Sequence, residues 1–214
     1  MKKTILALDV YDLKKAEKLI KETSPYIDIY KVGPILFLQY GKEIIKIIKD
    51  NGKKIFLDLK FHDIPTTVKR SVESAKELGV FSLTVHSAGG EEMLKAAAAV
   101  ENKPKIWAVT VLTSRITTPR EVLKRARLAK SCGADGVISS PLEISLIKKE
   151  CGKEFNVVTP GIRPVKAGDD QKRVTTPETA VKEGADFIVV GRPILEAVNP
   201  ADAAKNIYET TLIK

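Results

Sequence analysis

An aspartate and a lysine stand two positions apart at the end of an otherwise largely apolar segment, residues 54–60. Alternate side chains of a strand share a face, so Asp58 and Lys60 lie on the same face as Phe56. The intervening aliphatic residues occupy the opposite face, which suits packing against helices. Because a buried charge is costly unless it is paired, the Asp58–Lys60 pair indicates either a structural salt bridge or a chemical site.

Two earlier apolar segments also carry a charge near their carboxyl ends, Asp9 in the first and Lys31 in the second. We predict that these residues converge with Asp58 and Lys60 into a network of alternating sign. A single ion pair would only stabilise the fold, whereas four charges at the ends of three segments favour catalysis. The alternation gives both residues apolar companions on the same inward face: Ile5 and Ala7 with Asp9, and Ile27 and Ile29 with Lys31.

The elements that must position these charges alternate along the whole chain. Segments rich in Val, Ile, Leu and Phe are typical of buried parallel strands, and amphipathic segments with Pro near the start or Gly after the end are typical of helices. We predict strands at 4–10, 27–32, 54–60, 81–86, 106–112, 136–139, 156–159 and 187–191. We predict helices at 13–23 (capped by Asp12), 37–50, 66–78, 91–100, 119–131, 141–150, 177–183 and 200–210.

Eight strand–helix units in 214 residues predict a (β/α)₈ TIM barrel, with residues 1–214 as a single domain. The alternative is a doubly wound open sheet, because the sixth strand is the weakest. No G-x-G-x-x-G motif follows the first strand, which argues against a dinucleotide-binding fold. Barrel enzymes carry their chemistry at the carboxyl ends of the strands, where the four charges lie.

The last two strands end in segments suited to binding phosphate, a role that the loops after strands seven and eight of such barrels commonly have. Gly161 and Gly191 would let backbone N–H groups approach an anion, and Arg163 and Arg192 would add guanidinium contacts. Turn glycines with solvated arginines are the alternative. The long polar segment 165–176 is either a lid that closes over the phosphate or a plain surface loop.

Composition argues against several other classes of protein. The net charge is +9, but the lysines are dispersed and not interleaved with aromatic residues, so solvated helix faces are favoured over nucleic-acid binding. No apolar run approaches the roughly 18 residues of a membrane span, and the N-terminal segment lacks the features of a signal peptide. Cys132 and Cys151 have no CxxC partner, and with two histidines there is no zinc-site pattern. We therefore expect a cytoplasmic protein without a disulfide.

Six motifs along nearly the whole chain occur together in a known family of enzymes. They are Leu8-Asp9-Val10, Lys31-Val32-Gly33, Asp58-Leu59-Lys60-Phe61-His62-Asp63-Ile64-Pro65, Val109-Thr110-Val111-Leu112-Thr113-Ser114, Thr159-Pro160-Gly161-Ile162-Arg163-Pro164 and Val190-Gly191-Arg192-Pro193. On these motifs the chain resembles the orotidine 5′-phosphate decarboxylase family. The resemblance implies a homodimeric (β/α)₈ barrel, without metal or cofactor, that converts orotidine 5′-monophosphate to UMP and CO₂ in the last step of UMP synthesis.

The resemblance also implies a role for each matching residue. Lys60 protonates the C6 carbanion, Asp58 lies beside it, and Lys31 completes the charge array. Asp63 and Thr67 reach the neighbouring subunit's site, and Ile64 between them is expected to contact the substrate. The remaining contacts implied are Asp9 to the ribose, Thr113 or Ser114 to the pyrimidine, and Gln171, Arg163, Gly191 and Arg192 to the phosphate.

The chain departs from the family pattern in three places. Thr66 stands where the family has Asn, His86-Ser87-Ala88 stands where His-Ala is expected, and the stretch after Ser114 is short. The two histidines, His62 and His86, are expected to be structural.

Two other functions remain as alternatives. The magnesium-dependent 3-keto-L-gulonate 6-phosphate decarboxylases and hexulose-phosphate synthases share the Asp-x-Lys-x-x-Asp pattern, but generally carry an acidic residue where Lys31 stands, and a lysine there would repel a metal ion. A non-catalytic barrel that binds phosphate or nucleic acid would not need the charge array. Carboxylates beside Lys60 favour its ammonium form, which suits a proton donor and argues against a Schiff-base aldolase.

Overall fold

The computed structural model describes residues 2–163 and 174–212. Its strands are β1 Thr4–Ala7, β2 Ile29–Val32, β3 Lys54–Phe61, β4 Ser82–His86, β5 Lys105–Val109, β6 Gly136–Ile138, β7 Asn156–Thr159 and β8 Phe187–Val190. Its α-helices are α1 Leu13–Thr23, α2 Pro34–Asp50, α3 Pro65–Glu77, α4 Gly90–Ala98, α5 Pro119–Ser131, α6 Ile144–Cys151, α7 Pro177–Lys182, α8 Arg192–Leu195 and α9 Pro200–Thr210. Two 3₁₀ turns, Ser87–Gly89 and Pro141–Glu143, precede α4 and α6.

The strands form one closed parallel barrel in chain order, in which β8 pairs back onto β1. This confirms the predicted (β/α)₈ architecture and excludes the open sheet. The short β6 pairs with β5 through Trp107↔Gly136 and with β7 through Gly136↔Asn156, so the weakest predicted strand completes the ring. A side chain at Gly136 would collide with the backbone of Asn156, which explains the glycine.

Apolar side chains fill the inside of the barrel below its carboxyl-end mouth. Trp107 packs edge-on against Phe56, with ring centroids 4.7 Å apart, and both are fully buried. Ile5, Ala7 and Phe56 face inward as predicted. The placement of Ile27 was wrong: it packs in the layer between barrel and helices, because β2 begins only at Ile29.

Two turns with the sequence Gly-Ala-Asp, at 133–135 and 184–186, stabilise the opposite end of the barrel. Asp135 accepts hydrogen bonds from the backbone of Ile106 at 2.8 Å and from Lys103 at 2.6 Å. Asp186 repeats the arrangement with the backbone of Val157 at 2.7 Å and with Lys148 at 2.6 Å. In both turns the aspartate therefore holds the turn against the preceding strand, which is β5 for Asp135 and β7 for Asp186.

Several predicted bounds were wrong at the carboxyl ends of elements. β1 ends at Ala7 and β5 at Val109, each three residues before the predicted end, so Asp9 lies in a loop beyond β1 and not within it. The predicted helix 141–150 is a 3₁₀ turn followed by α6. The short helix α8 after Gly191 was not predicted, because a four-residue helix carries no periodic signal.

Candidate active site

The Asp58 carboxylate and the Lys60 ammonium meet at the mouth of the barrel. Lys60 Nζ donates to Asp58 Oδ2 over 2.8 Å. The Asp58 side chain is only 12% exposed, whereas that of Lys60 is 38% exposed and can reach a bound molecule. Both face inward with Phe56, so the predicted alternation along β3 is confirmed at the three positions that matter.

The backbone of β3 is irregular at Lys60. Leu57 pairs with Leu83 of β4, but the next pair is Phe61 with Val85, so three residues of β3 stand opposite Thr84 alone. Lys60 has a φ of 52°, in the left-handed region that residues other than glycine rarely adopt. Backbone outliers of this kind cluster at functional sites, which supports a chemical role for Lys60.

Lys31 links the Asp58–Lys60 pair to Asp9. Its ammonium lies 2.8 Å from Asp9 Oδ1 and 3.8 Å from Asp58 Oδ2. The predicted network therefore exists as a line of alternating charges, Asp9–Lys31–Asp58–Lys60. Because Lys31 is largely buried, its charge depends on these two carboxylates for compensation.

A cavity of about 160 Å³ lies directly above these charges. Its floor is Phe56 with Lys31, Asp58 and Lys60, and its walls are mostly apolar. An apolar pocket with a few convergent polar groups is typical of a site for a small organic ligand. The walls comprise Val109, Val111, Leu112, Thr113, Ile138, Pro160 and Val189, so Thr113 lines this cavity, whereas Ser114 does not.

A wider cavity of about 440 Å³ adjoins the first, because Lys31, Pro160 and Val189 line both. It is rich in positive charge, which suits an anionic group, and is called the cationic cavity below. Its polar and glycine residues are Asp9, Lys15, Lys31, Gly161, Arg163, Gly191, Arg192 and Glu196. The structure thus brings the predicted phosphate-binding residues Gly161, Arg163, Gly191 and Arg192 into the lining of this one cavity.

Other parts of the predicted phosphate site lie outside the described residues. Gln171 and most of the proposed lid 165–176 are among them. The two ends of this segment are joined, because Arg163 N–H donates to the carbonyl of Thr175 over 2.9 Å.

Three predicted site residues, Asp63, Ile64 and Thr67, do not reach the cavities of their own chain. All three are exposed and line neither cavity. Asp63 Oδ1 accepts a hydrogen bond from the Ile64 backbone over 2.7 Å, and Asp63 forms no ion pair among the described residues. Ile64 is 66% exposed although it is a large apolar residue.

The histidines stack on each other beside the site. The rings of His62 and His86 lie 5.2 Å apart with an interplanar angle of 22°, and His86 Nδ1 accepts from the Ala88 backbone. Burial lowers the pKa of His86, and electrostatic repulsion from its neighbours His62, Arg125, Lys60 and Arg115 lowers it further. His86 is therefore a neutral packing and capping residue, which supports the structural role expected for it.

Two functional candidates were missed by the sequence analysis. Thr84 lies on the inward face of β4 and hydrogen-bonds both to Asp58 and to the backbone of Lys60. The alternation applied to β4 would have indicated it. Lys15 enters the wider cavity from the first turn of α1, where only the tertiary structure distinguishes it from the neighbouring surface lysines.

Among residues 2–163 and 174–212, no group of three or more histidine, cysteine, aspartate or glutamate side chains could hold a metal ion. No helix in the described part of the chain has the length and apolarity needed to cross a membrane. Cys132 and Cys151 are buried free thiols, and burial raises the pKa of Cys151.

Known proteins resemble this chain over nearly its full length. Residues 2–207 match the family described as Orotidine 5'-phosphate decarboxylase / HUMPS. Proteins named orotidine 5′-phosphate decarboxylase from Geotalea daltonii and Moorella thermoacetica are 42% and 44% identical, over 96% of this chain in both cases and over 94% and 90% of the relatives. The crystal structure of orotidine 5′-phosphate decarboxylase from Lactobacillus acidophilus superposes with a TM-score of 0.86 at 37% identity, covering 100% of both chains.

Proposed function

The chain belongs to the orotidine 5′-phosphate decarboxylase / HUMPS family, and from this premise we propose that it decarboxylates orotidine 5′-monophosphate to UMP and CO₂, with Lys60 as the proton donor. The observation that carries the proposal is the line Asp9–Lys31–Asp58–Lys60 beneath a small apolar cavity. The reaction is that of a carboxy-lyase in pyrimidine synthesis.

The reaction needs a proton delivered to one carbon atom. When the bond between C6 and the carboxylate breaks, CO₂ leaves and the electron pair remains on C6, in an orbital that the ring cannot delocalise. The Lys60 ammonium donates a proton to form the C6–H bond and is reprotonated from solvent. Asp58, 2.8 Å from Lys60 Nζ, holds the ammonium on this path.

Proton donation alone does not account for an enzymatic rate. General acid catalysis contributes about 10²–10⁴-fold, whereas enzymes lower barriers by about 8–23 kcal/mol. The remainder is assigned to the preorganised charges around C6 and to binding energy from the remote phosphate. The two adjoining cavities fit this division, with the charges under one and the arginines in the other.

The position of Lys31 supports a metal-free reaction over the magnesium-dependent branch of the family. Its ammonium lies between the carboxylates of Asp9 and Asp58, so a positive charge already occupies the place where a divalent cation would need ligands. The relatives at 42% and 44% identity are named orotidine 5′-phosphate decarboxylase, not 3-keto-L-gulonate 6-phosphate decarboxylase, which favours the metal-free branch.

The nucleotide would lie across both cavities. The pyrimidine occupies the apolar cavity with Thr113 at its wall, and Ser114 remains the alternative contact. Asp9 binds the ribose hydroxyls, and the phosphate binds Arg163, Gly191 and Arg192, with Gln171 from the segment beyond the described residues. The cationic character of the wider cavity supports this orientation.

The active protein is proposed to be a homodimer in which Asp63, Ile64 and Thr67 complete the partner's site. The exposure of all three, and the absence of an intrachain ion pair for Asp63 among the described residues, support this arrangement. In such a dimer Asp63 would approach Lys60 of the other chain. The site would be incomplete in a monomer.

The cellular setting follows from the same proposal. Residues 1–214 form one catalytic domain in the cytoplasm, with a nucleotide as ligand and neither nucleic acid nor membrane as partner. The free thiols of Cys132 and Cys151 fit a reducing compartment.

The direct test is to incubate the purified protein with orotidine 5′-monophosphate and follow the pyrimidine absorbance. We expect turnover that is unchanged by EDTA. Loss of activity in EDTA, restored by Mg²⁺, would favour the magnesium-dependent alternative. No turnover at micromolar enzyme would favour a non-catalytic phosphate-binding barrel.

A further inference from the structure

We propose that Thr84 is a positioning residue whose single hydroxyl fixes Asp58 and Lys60 relative to each other. This inference rests on the proposed decarboxylation, since it concerns the proton donor of that reaction. The hydroxyl donates to Asp58 Oδ1 over 2.9 Å and accepts from the backbone N–H of Lys60 over 2.8 Å.

The need for such a residue arises from the irregular pairing between β3 and β4. Between the pairs Leu57↔Leu83 and Phe61↔Val85, three residues of β3 face one residue of β4. A regular ladder cannot satisfy the surplus backbone groups, and a buried N–H left without a partner is costly. Thr84 supplies the missing acceptor from its side chain.

The Lys60 backbone adopts its left-handed φ of 52° at this same point. A non-glycine residue keeps such a conformation only where the surroundings enforce it. The Thr84 hydroxyl bonds the N–H of that residue, so it stabilises the conformation that directs the Lys60 side chain toward Asp58.

The hydroxyl also fixes the rotation of the Asp58 carboxylate. A hydroxyl has one donor and two acceptor positions, and the Lys60 N–H can only donate, so the hydroxyl proton points to Asp58. Asp58 Oδ1 is thereby engaged by Thr84, which leaves Oδ2 facing Lys60 Nζ at 2.8 Å and Lys31 Nζ at 3.8 Å. Thr84 is fully buried, so bulk water is not at hand to replace it.

Thr84 lines neither cavity, so it does not touch the nucleotide. Its effect is therefore expected in the chemical step and not in binding. The displacement of a reacting group by about 1 Å can cost on the order of 10²-fold in rate.

The experiment compares Thr84→Val, which keeps the shape and removes the hydroxyl, with Thr84→Ser, which keeps the hydroxyl and removes the methyl group. We expect Thr84→Val to lower kcat by roughly 10- to 100-fold with UMP affinity changed by less than about threefold. Thr84→Ser should retain most of the wild-type kcat. A packing role predicts the opposite order, with Val active and Ser impaired, and that result would overturn the proposal.

Ser82→Ala is the matched control, because Ser82 lies on the same inward face of β4, is fully buried, and has a hydroxyl without a hydrogen-bond partner in the described part of the chain. It should leave kcat unchanged, and a loss equal to that of Thr84→Val would sink the inference. If Thr84→Val does not fold, Thr84→Ser still decides: a fall in kcat of more than about tenfold contradicts the role of the hydroxyl. An inactive wild-type protein would refute the proposed function instead.

Discussion

Lys31 Nζ lies 2.8 Å from Asp9 Oδ1, although Asp9 stands beyond the end of β1 and Lys31 within β2. This contact joins the apolar cavity above Asp58 and Lys60 to the wider, cationic cavity. Lys31 lines both cavities, and Asp9 lines the wider one. The ammonium also lies 3.8 Å from Asp58, so one side chain couples the proposed ribose contact to the proposed proton-transfer pair.

Replacing Lys60 by alanine should abolish measurable decarboxylation while UMP binding persists. The ammonium is the proposed proton source, and the loss of a general acid costs at least about 10²-fold in kcat. Single-turnover assays with the substrate and calorimetric titration with UMP would measure the two effects. Lys54→Ala, at the other end of β3, is the control and should remain active; a Lys60→Ala variant with most of its rate would disprove the donor role.

Replacing Arg192 by alanine should raise KM by about tenfold or more, which corresponds to about 1.4 kcal/mol of lost binding. Arg192 lines the cationic cavity, where the phosphate is proposed to bind. The difference from wild type should shrink as salt is added, because ionic contacts are screened. The exposed Arg120 of α5 provides the control, and an equal KM for Arg192→Ala and wild type would move the phosphate elsewhere.

Mixing Lys60→Ala protein with Asp63→Asn protein should restore activity if the dimer shares its sites. Each heterodimer would contain one intact site and one doubly impaired site. Random exchange makes half of the dimers mixed, so activity should approach about a quarter of the wild-type value. Activity no greater than the sum of the separate variants would contradict the contribution of Asp63 to the partner's site.

Stability should fall as the pH is lowered through the range in which histidine titrates, because the pKa of His86 is lowered in the folded chain by burial and then by neighbouring positive charge. The unfolded chain takes up a proton near pH 6.5, whereas the folded chain resists until a lower pH. Protonation therefore favours unfolding across this interval, and the stability present above pH 6.5 is progressively lost.

The His86→Asn variant tests whether His86 is the cause of this pH dependence. The asparagine oxygen can replace Nδ1 as the acceptor for the Ala88 N–H, but it does not titrate. Denaturant titrations between pH 7.5 and 5.5 should show a shallower loss of stability for the variant. An identical pH dependence in both proteins would assign the effect to other groups.

The sequence by itself determined the architecture and most of the site. Alternation along β2 and β3 placed Lys31, Asp58 and Lys60 on the inner face, because side chains of a strand alternate whatever lies around it. The eight strand–helix units specified the barrel, and the motifs after strands seven and eight specified the arginines and glycines that line the cationic cavity. These inferences depend on local patterns, which the sequence carries directly.

Only the tertiary structure decided how the charges meet. The bulge opposite Thr84 and the left-handed backbone of Lys60 arise from pairing between β3 and β4, which residue types along one strand do not encode. The entry of Lys15 into the cationic cavity, and the failure of Asp63 to reach the site of its own chain, depend on where loops and helix ends lie in space. The sequence supplies the charged groups, and the distances that make them a network come from closing the barrel.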